Sequence, residues 1–262
     1  MLGAIIGDIV GSRFEFNNTN STDFELFTNE CAYTDDTICT VAIADAILNA
    51  KSYKDSLLEW CRKYPNPKGA YGSSFACWFR SNNPQPYNSY GNGSAMRVSP
   101  TGWLFNNIDD VLKQAEQTAI VSHNHPEGIK GAVCVAELIY KLRTGATKNY
   151  PTAAFDYGFA TGLKYEIPTL DYIYENNTFN ETCQGTVPQA IRCFIDANNF
   201  EETIRLAVSI GGDSDTIAAI AGSIAEAHYP IPDEIKAAAI NKLPEDMKII
   251  VEQFYNTIRI KK

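Results

Sequence analysis

The chain has 262 residues, 45% of them hydrophobic and 20% charged, a globular balance long enough for one large domain or two small ones. Its net charge of -9, from 22 basic and 31 acidic residues, argues against broad binding to nucleic-acid phosphates or anionic membranes, although a local basic groove would override that. Seven cysteines, at 31, 39, 61, 77, 134, 183 and 193, form no C-x-x-C pair and are odd in number, which suits reduced thiols in a cytoplasm better than a disulfide framework. The N-terminal stretch "MLGAIIGDIVG" lacks a basic n-region and carries Asp8 within its apolar run, so a signal peptide is not expected. No apolar stretch approaches the ~18 residues of a membrane helix. A soluble, cytoplasmic protein is the expectation.

Taken in chain order, the apolar spacing predicts helices over 3–13, 34–50, 54–63, 72–80, 94–104, 109–121, 127–143, 186–197, 200–209, 233–242 and 246–258. Residues 209–229 read as one further long apolar helix, with Ile217, Ile220, Ile224 and His228 on one stripe. Alternating strand-like segments are scarce. The stretches 16–32, 82–93 and 174–185 are rich in Asn, Ser, Thr, Pro and Gly and are expected to be loops. No linker divides the chain. The prediction is one compact, orthogonal all-α domain over residues 1–262.

Two of these helices start in the same unusual way. "YTDDTICTVAIADA" and "GDSDTIAAIAGSIA" share Asp-Thr-Ile, at Asp36-Thr37-Ile38 and Asp215-Thr216-Ile217, and each has a further acid just ahead, Asp35 or Asp213. One Asp, Ser or Thr suffices to cap a helix. Four carboxylates brought together would repel unless a cation sat between them, and carboxylate and hydroxyl oxygens are the ligand set of a hard divalent ion. Gly211 and Gly212 let the backbone take φ > 0 before the second turn. Two unrelated capped helices are the plainer alternative. Zinc is disfavoured, because the only histidines are His123, His125 and His228 and none has a zinc-like spacing with Cys.

A third feature is the glycine-rich stretch "NSYGNGSAMRVSP" (88–100). Such a loop ahead of a helix exposes backbone N–H groups suited to phosphate oxygens, without P-loop spacing. Met96 and Arg97 are expected in helix packing and a salt bridge. Asp8, between apolar residues, is ambiguous: one reading is a buried, hydrogen-bonded structural acid. Glu15 reads by itself as a surface acid at a helix end.

Together, "GDIVGSRFE", "TDDT", "GNGSAMR", "SHNHPEG" and "GGDSDT", in this order from Gly3 to about Ile231, resemble the ADP-ribosylglycohydrolase family, all-α enzymes with a two-metal centre. The resemblance implies two Mg²⁺ or Mn²⁺ ions held by Thr34, Asp35, Asp36, Asp213, Asp215 and Thr216. It implies pyrophosphate and ribose contacts from Ser89, Tyr90, Gly91, Asn92 and Gly93, and a phosphate or adenosine contact from His123, where Ser122 stands for the family's usual Thr. "YGSS" (71–74), with Gly72, is expected to add to the same pocket. In the family branch that acts on serine-linked ADP-ribose, the acid at the position of Glu15 helps a water attack and its loop moves as a flap; Asp35 is the alternative base. The implied reaction is hydrolysis of the bond between the anomeric carbon of ADP-ribose and an acceptor, by a monomer acting on an ADP-ribosylated partner. An inert ADP-ribose binder and a metal-dependent phosphohydrolase are the rival readings. The acceptor linkage and the choice between Mg²⁺ and Mn²⁺ stay open at this point.

Overall fold

Half of the described helices begin where the sequence supplies a side-chain cap. Ser52, Asn107, Thr169, Thr182 and Asn199 each accept a hydrogen bond from a first-turn N–H, an arrangement worth ~1 kcal/mol apiece. The computed structural model describes residues 1–152 and 165–260. In order, its helices are α1 (Leu2–Gly11), α2 (Asp35–Leu48), α3 (Tyr53–Lys63), α4 (Ser73–Arg80), α5 (Gly93–Met96), α6 (Ser99–Leu104), α7 (Ile108–Ile120), α8 (Pro126–Arg143), α9 (Leu170–Asn176), α10 (Cys183–Asp196), α11 (Phe200–Ser209), α12 (Ser214–Ala225), α13 (Asp233–Asn241) and α14 (Glu245–Ile260). Among the described residues the sole strand-like feature is an isolated antiparallel bridge between Gly91 and Thr182. The all-α expectation holds.

Three local expectations need correction. The helix predicted over 94–104 is two, α5 and α6, because Pro100 in the first turn of α6 has no N–H to continue the ladder. The helix predicted through 229 ends at Ala225, leaving His228 exposed beyond it. There Glu226 is tied back to the N–H groups of Met1 and Gly3 and to the Tyr255 hydroxyl. The loop predicted over 174–185 overlaps the end of α9 and the start of α10. Helix α9 went unpredicted because Ile173 is its one buried residue, too little to make a stripe.

The centre is a pair of antiparallel helices, α1 and α12, both buried along their whole length. Gly3, Gly7 and Gly11 recur every fourth residue on the α1 face that meets α12. A Cβ at these positions would collide with the backbone of Gly222, Ala218 and Asp215 respectively. The two backbones therefore approach more closely than side chains allow, and this sets Asp8 beside the N-termini of α2 and α12. Gly7→Ala is expected to cost about 3 kcal/mol, at the upper end for overpacking a core. An unchanged urea midpoint would show that the helices separate freely.

Candidate metal and ligand site

The N-termini of α2 and α12 converge below a cavity of about 280 Å³. Asp8 organises the first. Its Oδ2 accepts the backbone N–H of Thr34 (2.9 Å) and Thr37 (3.0 Å) and the Thr37 hydroxyl (2.5 Å), while Oδ1 accepts the Thr34 hydroxyl (2.7 Å). With four donors and no exposure, Asp8 is the buried structural acid that one sequence reading allowed. Thr34 is the N-cap of α2 and accepts the Asp36 N–H at 3.2 Å. Capping is thus complete without Asp35 or Asp36.

At α12 the N-cap is Asp213, yet its side chain makes no capping bond. It turns aside to accept from Asn92 Nδ2 at 2.6 Å, a geometry set up by Gly211 (φ 72°) and Gly212 (φ 74°). Asp36 Oδ2 accepts the Thr216 hydroxyl at 3.1 Å, bridging the two helix starts, and Asp36 Oδ1 is buried with no partner. Carboxylate oxygens of Asp8, Asp36 and Asp215 lie within 4.8 Å of one another, as do those of Glu15, Asp213 and Asp215. Asp215 belongs to both groups, the pattern expected of an acid between two neighbouring cations. An orphaned buried oxygen in an all-oxygen cluster fits hard divalent ions.

The electrostatics agree. Burial, then the charges of Asp8, Asp35 and Asp213, hold Asp36 well above the usual carboxylate range. Burial, then Asp213 and Asp36, do the same for Asp215, and burial dominates at Asp35 as well. Glu15 is pushed up to about 7 by burial and by Asp213, Asp8 and Glu181, with Lys68 opposing. Raised folded values mean that these acids bind more protons in the metal-free folded chain than in the unfolded one above pH ~4. Stability in EDTA is therefore expected to fall as pH rises from about 4 through about 7, and Mg²⁺ or Mn²⁺ should flatten the fall. Melting temperatures in EDTA that do not decline with pH would refute a strained acid cluster.

Other elements close the cavity. The turn Gly91–Gly93 enters α5, and it is held by Asn92 N–H donating to Glu181 O (2.7 Å) and Cys183 N–H to Tyr90 O (2.9 Å). Ser89, Gly91, Asn92, Gly93, His123 and Gly72 all line the cavity, as do Glu15, Asp35, Asp36, Asp213, Asp215 and Thr216. Tyr90 and Thr34 are not among its lining residues; Tyr90 is 47% exposed, with its ring 5.2 Å from that of His125. Met96 and Arg97 do line the cavity. The salt bridge expected of Arg97 is absent among the described residues: its NH2 donates to Thr118 O and Ser122 Oγ, both at 2.9 Å.

Several lining residues were invisible to sequence reasoning. Gly69 (φ 76°) lies flat against the Glu15 carboxylate, where a Cβ would overlap Oε2. Glu181 lines the same cavity, where burial and then the charge of Asp213 raise its carboxyl. Phe16, which lines the cavity and is 75% exposed, stacks on Phe179 with ring centroids 6.0 Å apart. Asn18 follows Glu15 and hooks the Gly212 backbone, its Oδ1 accepting the N–H and its Nδ2 donating to the carbonyl, both at 2.9 Å. These meetings join segments far apart in sequence, and no local pattern announces them.

Comparison with known proteins bears directly on this geometry. A model of the ADP-ribosylglycohydrolase family matches residues 1–260. The chain belongs to the ADP-ribosylglycohydrolase family. It is similar to ADP-ribosylhydrolase ARH3 of Mus musculus, 25% identical over 98% of this chain and 87% of that protein. It is also similar to ADP-ribosylarginine hydrolase Tri1 of Pseudomonas putida (strain GB-1), 24% identical over 94% of this chain and 76% of that one. A solved structure described as an ADP-ribosylglycohydrolase-related protein complex has the same fold, with a TM-score of 0.72 at 24% identity, covering 98% of this chain and 97% of that one. As a member of the ADP-ribosylglycohydrolase family, the chain is an ADP-ribosyl hydrolase acting on glycosyl bonds. No described helix is long and apolar enough to cross a membrane.

Proposed function

We propose that residues 1–262 act as one metal-dependent domain that hydrolyses the glycosidic bond between ADP-ribose and an acceptor, reversing ADP-ribosylation. The observation that carries this reading is the pair of carboxylate groups sharing Asp215, whose members other than the buried Asp8 line one cavity with Gly91, Asn92 and Gly93. Two Mg²⁺ or Mn²⁺ ions would be held by Asp35, Asp36, Asp213, Asp215 and Thr216, with Thr34 supporting the first turn. When bound, they supply the positive charge that lets several carboxylates face one substrate, together with Lewis acidity toward hydroxyl and water oxygens.

The protein's own groups then divide the work. The Gly93 N–H at the start of the short helix, with Ser89 and His123, holds the diphosphate and places the distal ribose over the acids, while the Gly91 and Asn92 N–H groups brace the turn on Ser89 Oγ and Glu181 O. Glu15, half-buried with Oε2 lacking a partner, takes the proton of a water attacking the anomeric carbon as positive charge develops there. A carboxylate held near neutrality suits that transfer. Asp35 is the second candidate base. Gly72 borders the entrance.

A panel of peptides carrying arginine-linked or serine-linked ADP-ribose, each assayed for release of free ADP-ribose with and without EDTA, tests the reading. Metal-dependent release from at least one linkage is expected. Binding of ADP-ribose without release from any would favour an inert binder.

A further inference from the structure

Arg97 is fully buried at the back of the cavity. Among the described residues it has no carboxylate partner, and its Nε makes no hydrogen bond. A buried cation without a counter-charge is costly unless it serves something. Among the described residues its one side-chain hydrogen bond is to Ser122 Oγ at 2.9 Å, with its guanidinium 5.6 Å over the Phe75 ring, and Ser122 Oγ lies 2.8 Å from His123 Nδ1.

The chemistry of these three groups determines where the protons sit. A guanidinium only donates, so Ser122 Oγ accepts from Arg97. Ser122 is wholly buried, and among the described residues its hydroxyl has His123 Nδ1 as its one acceptor within bonding distance. Were Nδ1 the protonated nitrogen, the serine O–H would be left buried and unsatisfied, a loss native structures avoid. The hydroxyl therefore donates to Nδ1, and the imidazole proton resides on Nε2. That nitrogen faces the glycine turn: a Cβ on Gly93 would sit 3.1 Å from it. Burial and the Arg97 charge hold His123 well below its usual range, so the ring is neutral.

We propose that Arg97 is a positioning residue which, through Ser122, locks His123 as the Nε2–H tautomer and aims that N–H at a diphosphate oxygen seated on the Gly91–Gly93 turn. The proposal rests on the reading of that turn as the diphosphate site. Its charge completes the arrangement, because the anion would meet a cation behind the donor in a protein of net charge -9.

The chain has three histidines, so their ¹⁵N imidazole resonances are assignable, and tautomers read from them directly. The free wild-type protein is expected to show His123 protonated on Nε2, and addition of ADP-ribose should shift that N–H proton and slow its exchange with water. Ser122→Ala removes the link while Arg97 keeps Thr118 O. It should abolish the tautomer preference and weaken ADP-ribose binding by about 10-fold, the scale of one hydrogen bond to a charged group. Ser122→Thr keeps the hydroxyl and should restore both. A wild-type Nδ1–H tautomer, or unaltered ADP-ribose affinity in Ser122→Ala, would overturn the proposal. An Nε2–H tautomer in a wild-type protein that ignores ADP-ribose would instead overturn the diphosphate reading and leave the Arg97–Ser122–His123 chain standing.

Discussion

Glu15→Gln is expected to cut turnover by roughly 10²–10⁴-fold, the usual scale for loss of a general base, while ADP-ribose affinity stays within a few-fold. The amide matches the carboxylate in shape, so the packing against Gly69 is kept and the proton-accepting oxygen is lost. The segment that carries it behaves as a lid in this reading. Residues 16–34 precede α2 without helix. The lid is tied over the acids by Asn18 on Gly212 and by Phe16 on Phe179. Single-turnover rates beside calorimetry of ADP-ribose binding make the test. Near-normal turnover would remove Glu15 from the chemistry and pass the role to Asp35.

Asp215→Asn has the second large effect, and its sign depends on metal. Asp215 is shared by both carboxylate groups, so the change removes charge from both. Divalent-ion affinity should fall by about 100-fold or more, at or beyond the upper end for an outer-shell partner, and turnover should fall with it. In EDTA at neutral pH the same variant should melt higher than wild type, because one buried, mutually repelling carboxylate is gone. With saturating Mg²⁺ or Mn²⁺ it should melt lower. A purely capping role predicts little change under either condition, since the Asn Oδ1 still accepts the Thr216 N–H that Asp215 Oδ1 accepts. Melting temperatures equal to wild type both in EDTA and in metal would favour capping alone.

Much of the helix inventory was legible because amphipathic spacing and caps are local. The splitting of 94–104 and the stop at Ala225 were not, since the first turned on one missing N–H and the second on Glu226 meeting Met1, Gly3 and Tyr255 from elsewhere in the chain. The missed α9 buries a single residue, and a helix held by so little leaves no period in the sequence. Asp8 and Arg97 show the same limit within the site. A lone acid in an apolar run and a lone arginine after a glycine turn carry no sign of their partners, and the partners decided their roles.

By itself, the sequence determined that two helices open with surplus carboxylates, that these offer oxygen donors suited to a hard cation, and that a glycine turn precedes a helix start. These follow from residue identity and short spacing, which are properties of the chain alone. Tertiary structure decided that the two acidic turns meet, and it did so through Gly3, Gly7 and Gly11, which let α1 and α12 touch backbone to backbone and carry Asp8 between them. It decided that Thr34 caps α2 so that Asp35 and Asp36 are left free of capping, that Asp213 turns to Asn92, and that Gly69 and Glu181 lie near Glu15. The physical reason is range. A cap or a turn is settled within about four residues, whereas the charge and hydrogen bonding of a buried group are settled by whichever distant segment packs against it.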